Sequence, residues 1–430
     1  MNSRWAGLAV CLLVAAAGLS LGTGCDPCGS CSSSGKPTGT PTPAPNACLP
    51  SSSVGILVQG KNATAYLPQG YWEGGTTGIK VVPVETSSGL GTGGSPTSIT
   101  TAGVVNSCSS NSTTGETVCV ANDTDVYLIS GTTLNNTLTS GATAEQDFTG
   151  GFCSNCGVVV DSSTNKALIT MGLEIDDTET GGYQFLDLDT STFETPIPAG
   201  ATTSEDVSID PVRHLVLSPN EQGNYQLVNI TTTSTPALFN NDLGELPGEP
   251  DSAGEDCTTG IALSTLEFSD ALFITDLTQA NFTPGTPGTW TDTASQVQSF
   301  PEFATMAAGT CGIAIAPGTH LGVVTGEFGG ALEGVIQLPA TSGSGTPSIV
   351  DYVAFTVPSP PTEEGWSEGG DPHTVTAYVS PNTHKAYGVL ENRDFTYVAI
   401  VDLQGLLSAP RTGHVVNSPL PAGLVTFVAE

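Results

Sequence analysis

The sequence predicts an all-β protein, a seven-bladed β-propeller, with six blades as the alternative count. Three observations predict it. Ser, Thr, Gly and Val dominate a chain of 430 residues in which 12% are charged and 52 are Gly, a composition that favours strands and turns over helices. A unit of apolar strand, polar turn, second apolar strand, Gly- or acid-rich loop and third strand recurs along residues 54–430. Its first strands begin at Val54, Val104, Val158, Val207, Ile261, Ile313 and Val375, in steps of 49 to 62 residues. A period of that size marks blades stacked round an axis, because one blade cannot bury both faces of its own sheet.

Taken from the N-terminus, residues 1–24 read as a signal peptide. "MNSRWAGLAVCLLVAAAGLSLGTGC" carries one early Arg, an apolar run and then small residues, a build too short to span a bilayer and suited to export. Its end, "LGTGC", resembles a bacterial lipobox with Cys25 as the lipidated residue. The expected location is a bacterial membrane, on its periplasmic side or at the cell surface, or the medium if Cys25 is not lipidated. Residues 25–50, rich in Ser, Pro and Thr, lack the apolar side chains for a core and read as a tether. Residues 51–430 are left for the propeller.

The clearest copies of the unit are "GVVVDSSTNKALITMG", "DVSIDPVRHLVLSP", "GIAIAPGTHLGVVTGE" and "TVTAYVSPNTHKAYGVLEN". The fifth, "TGIALSTLEFSDALFITDL", is compressed. The closing "AGLVTFVAE" reads as one more strand, expected to pair with the N-terminal blade and close the ring, which would remove open sheet edges. "GIAIAP", "VSPNTHKAY" and "VAIVDL" make the repeats similar to those of YVTN/NHL-type bacterial β-propellers. That resemblance implies an extracytoplasmic binding protein. Some propellers of similar build are lactonases or other hydrolases, so a metal-dependent lactonase or esterase is the alternative function.

Charge excludes one class of partner. The net charge is −33, from 42 acids against 9 bases, and a nucleic-acid binder needs a basic footprint. In a propeller the loop entering the first strand and the loop leaving the second share one face, called the top below. Glu174, Asp176, Asp177, Glu221, Glu327 and Glu391 follow second strands, while Asp206, Asp256 and Asp371 precede first strands. Such carboxylates at a channel mouth are candidate ligands for a divalent cation, calcium above all, since it takes six to eight oxygens. The plainer reading is a solvated acidic face that keeps the protein soluble. A glycan or a basic protein partner is expected there, and the membrane is expected as a partner through Cys25.

The opposite face, the bottom, carries Lys61, Lys166, Arg213 and Lys385 in its turns, with His214, His320 and His384 at matching positions. These histidines lie on different blades, too far apart to share one metal, and read as turn packing. His373 near Asp371 has the residue types of a general base, but no G-x-S-x-G, H-E-x-x-H, P-loop or dinucleotide motif accompanies it. Eleven cysteines fit an oxidising compartment. Cys108 and Cys119 flank one predicted hairpin and are the leading disulfide. Cys153 and Cys156 form a C-x-x-C pair, and Cys257 and Cys311, each placed before a first strand, are candidates for a bridge between neighbouring blades.

Overall fold

A computed structural model describes residues 54–69, 76–143, 154–175, 178–198, 206–220, 224–231, 237–238, 246–280, 290, 295–301, 310–326, 332–341, 346–354, 375–390, 397–410 and 423–429. The side chains of a few strand residues among these, Glu174 included, are not described. The signal peptide, Cys25 and the tether all lie outside the described residues.

The fold is a seven-bladed β-propeller. Seven separate antiparallel sheets follow one another along the chain, each with its strands in sequence order. The innermost strands are Gly55–Gln59, Val105–Asn111, Asn155–Asp161, Ser208–Asp210, Glu249–Asp256, Ile313–Ala316 and Val375–Val379. Each touches the innermost strand of the next blade, and the last touches the first, so they form a closed ring.

Seven apolar cores hold this ring together, one at each junction between neighbouring blades. The period of two along a strand explains them: alternate residues point to opposite faces of a blade, and each face meets a different neighbour. In blade 1, Ile56, Ala63, Ala65 and Val82 face blade 7. Leu57, Tyr66, Ile79 and Val81 face blade 2.

An innermost strand has one edge with no strand to pair with, and its buried N–H groups need acceptors. Small hydroxyl residues of the neighbouring blade supply them. Val158 and Val160 donate to Ser107 Oγ and Ser109 Oγ across the junction between blades 2 and 3. Ile313 donates to Ser252 Oγ, and Val58 to Ser112 Oγ. This is why inner strands such as "VNSCSSN" are polar in sequence and buried throughout.

Two expectations about the elements are corrected. The fifth blade starts at Glu249, not Ile261. "EPDSAGED" is its innermost strand, and "IALSTLE" is the second. The final strand, Val425–Ala429, pairs with Tyr397–Asp402 as the outermost strand of blade 7 rather than joining blade 1. Blade 1 supplies all its own strands, so closure rests on side chains. Glu85 of blade 1 is the hub. It accepts from Tyr378 Oη at 3.0 Å, Ser380 Oγ at 2.6 Å and Asn382 Nδ2 at 2.9 Å, all from blade 7. Burial and the Glu85 carboxylate together push the Tyr378 phenol upward.

Candidate functional site

The predicted acids divide by face. Asp206 lies at the top, just before the innermost strand of blade 4. It is buried, and its carbonyl accepts from Ala253 of blade 5 at 3.1 Å. Beside it, Asp251 of blade 5 accepts from the Cys311 thiol of blade 6 at 2.8 Å. Three consecutive blades thus bring Asp206, Asp251 and Cys311 to the top of the channel, all buried. Burial of Asp251 near the start of an inner strand is what places it here.

Glu174 lies near the end of a second strand, Lys166–Ile175, opposite Glu179. Asp176, Asp177, Glu221, Glu327, Asp371 and Glu391 lie outside the described residues, as does His373. Among the described residues no group of three or more His, Cys, Asp or Glu forms a metal-holding cluster.

Asp256 is not at the top. Because blade 5 begins twelve residues earlier than its pattern suggests, Asp256 ends the innermost strand and sits at the bottom. The same shift separates Cys257 from Cys311. Cys257 follows that strand at the bottom, whereas Cys311 precedes the next blade's inner strand at the top. Cys311 is accordingly a buried thiol and not a disulfide. Cys108 and Cys119 form the expected disulfide, between directly opposed residues of blade 2. Cys156 and Cys257 are each disulfide-bonded. Cys153 lies outside the described residues.

The bottom face shows an order that the sequence reading missed. After the end of six innermost strands stands a turn residue with positive φ: Gly115, Asn165, His214, Gly260 and His320 four residues on, and His384 five. Gly, Asn and His are among the residues that best tolerate this left-handed region. The residue ending the strand caps its own turn and also reaches the left-handed residue of the next blade. Asp161 Oδ1 accepts from the Ser163 amide at 2.8 Å, while Oδ2 lies 2.7 Å from His214 Nδ1 of blade 4. Asp256 repeats this, with Oδ1 taking the Thr258 amide and Oδ2 lying 2.5 Å from His320 Nδ1 of blade 6. Asn111 does the same with Asn165, in neutral form, at 2.7 Å.

Between blades 4 and 5 the device is altered. The left-handed residue is Gly260, and the Arg213 guanidinium lies where its side chain would be: a Cβ there would be 2.8 Å from Arg213 Cζ. Arg213 binds Asp210 Oδ2 at 2.5 Å and reaches across to the Cys257 carbonyl. Glu255 of blade 5 is buried beside this pair and accepts from the Leu217 amide at 3.1 Å. Burial and the neighbouring Asp210 carboxylate hold the Glu255 carboxyl well above the usual range. Burial also raises Asp210, against the opposing pull of Arg213.

His214 and His320 are therefore clasps between blades, and His384 is not. The innermost strand of blade 6, where its partner would stand, ends in Ala316, which offers no carboxylate. The signal available in sequence was an Asp or Asn four positions before Gly115, Asn165, His214 and Gly260. No protein-family model matches this chain, and no curated protein matches it.

Proposed function

We propose that this protein is an exported, lipid-anchored β-propeller of the YVTN/NHL type that acts as a non-catalytic binding or scaffold module. Cys25 would carry the lipid, residues 25–50 would be the tether, and the acidic top would hold a divalent cation, calcium first, and recruit a glycan or protein partner. The observation that carries this reading is the sealing of the ring. Four innermost strands are buried from end to end, and clasps and hydroxyl bridges join their blades. A ring so fixed presents its loops from a rigid frame, and recognition residues commonly sit on loops held by such a scaffold.

Support for the cation lies in Asp206 and Asp251, which successive blades bring to the same mouth. Clustered carboxylates repel unless a cation or protons neutralise them. Thermal unfolding of the full chain tests the cation. Calcium should raise the melting temperature relative to chelator by mass action on the native state, and Asp206→Asn should reduce that rise. Identical melting curves with calcium and with chelator would sink the cation while leaving the binding module standing.

A further inference from the structure

Blade 1 presents a cleft to blade 2, at the bottom edge of their shared core. Its volume is ≈ 220 Å³. The register shows how one sheet face builds it: Gln59 opposes Asn62, Leu57 opposes Thr64, which opposes Pro83, and Tyr66 opposes Val81, which opposes Thr97. The far wall is the Gly131–Thr132 turn of blade 2, held by Tyr66 Oη donating to the Gly131 carbonyl at 3.0 Å.

The composition of this lining is specific. The face that packs against blade 2 is apolar near the top, where Ile79 and Val81 join the core. Towards the bottom it turns polar, yet it gains no charge. Gln59 stands where other blades end the strand in a clasp residue, and its amide lies against Gly115, whose added Cβ would be 2.3 Å from Nε2. Among the described residues, the side chains of Gln59, Asn62, Thr64, Thr97 and Thr132 have no hydrogen-bond partner in the protein. Buried amides elsewhere in the ring are committed to neighbours, as Asn111 and Gln184 are.

We infer that this cleft binds a neutral polyhydroxylated ligand, a single sugar ring or the end residue of a glycan. No acid or base lines it, so nothing there would offset the desolvation of a phosphate, carboxylate or ammonium. A purely apolar occupant would strand two amides and three hydroxyls without partners. A sugar suits both parts, its hydroxyls meeting the amides and threonines and its C–H face meeting Leu57, Val81 and Pro83. The volume lies below the roughly 300–1,000 Å³ of drug-sized pockets, which limits the occupant to about one ring.

This rests on the binding-module reading but places the glycan in a cleft between blades, away from the acidic top. The test is saturation-transfer NMR on the full chain with glucose, galactose, mannose and N-acetylglucosamine, followed by titration of whichever responds. The expected result is saturation transfer to at least one sugar, with affinity lowered about fivefold or more by Gln59→Ala and by Asn62→Ala. Both residues are exposed, so these variants should melt with the wild type. Thr132→Trp, which fills the wall, should abolish the response. No transfer to any of the four sugars, or transfer that all three variants leave intact, overturns the cleft. A calcium-dependent melting shift that survives such a failure would show that the cleft alone was wrong.

Discussion

The two faces of blade 1 meet their neighbours by different means. Towards blade 7, Ile56, Ala63, Ala65, Val82 and Val84 build an unbroken apolar core, and Glu85 ties its bottom with three hydrogen bonds, two of them buried. Towards blade 2 the core stops short, and the bottom holds a cleft lined by amides and hydroxyls with no protein partner. One junction closes the ring without a shared strand, and the other leaves space. The contrast teaches that a propeller junction is not one repeated interaction. Burial is needed at every junction, while the polar device beneath it is free to vary.

The sharpest way to break this contrast is to remove the hub. Glu85→Ala would leave Tyr378 Oη buried with its acceptor gone and also cut the bonds from Ser380 and Asn382. Losing one partner of a buried charged network typically costs about 3 kcal/mol or more. Denaturant unfolding should show a midpoint lowered accordingly. Gln59→Ala, at the bottom of the other face, should shift it by less than about 0.5 kcal/mol. Equal effects from the two variants would mean that Glu85 has no special part in closure.

The clasp between blades 3 and 4 should come second. Asp161→Ala removes the cap of its own turn and the contact to His214 together, where His214→Ala removes only the contact. The carboxylate is fully buried and the imidazole is partly exposed. We expect about 2 kcal/mol for Asp161→Ala and about 1 kcal/mol for His214→Ala, read from the same unfolding curves. If His214→Ala costs as much as Asp161→Ala, the cap contributes nothing and the contact between blades carries the whole effect.

Much of this architecture was legible in the sequence, and the failures have physical causes. The blade count followed from repeated apolar strand pairs such as "GIAIAP" and "HLGVVTG", and the Cys108–Cys119 disulfide followed from its hairpin. Blade 5 was misplaced because "EPDSAGED" has the Pro, Gly and Asp of a loop. Around the propeller axis that rule weakens. The strand lies buried between its neighbours there, Gly254 packs against the side chains of Ile313 and Ile315 of blade 6, and Ser252 serves a neighbour's amide. The final strand was misassigned because strand propensity does not say which edge a strand pairs with. The clasps were missed because each joins residues about fifty positions apart, as Asp161 and His214 do, a relation visible only once the blades are stacked. Of the acids expected at the top, Asp256 was misplaced with blade 5, because the start of that inner strand carries loop residue types.

A further effect concerns charge, and it separates the junction between blades 4 and 5 from the hub at Glu85. Glu255 is buried beside Asp210, and one guanidinium, Arg213, serves that group. Its one bond to the protein comes from the Leu217 amide, and its second oxygen has no partner. Its folded pKa is raised, so the folded state binds the proton more tightly than the unfolded chain does. Stability from this group is therefore fully present below the ordinary Glu range and is lost as pH rises above it. Glu255→Gln keeps the acceptor for Leu217 while removing the ionisation. The variant should match the wild type at about pH 4 and exceed it by about 1 kcal/mol at neutral pH. Glu85→Gln, by contrast, exchanges a carboxylate with three donors for a weaker acceptor and should lose stability at the same pH. A Glu255→Gln variant less stable than wild type at neutral pH would show that the ionised carboxylate strengthens this junction, and that the hub is not a special case.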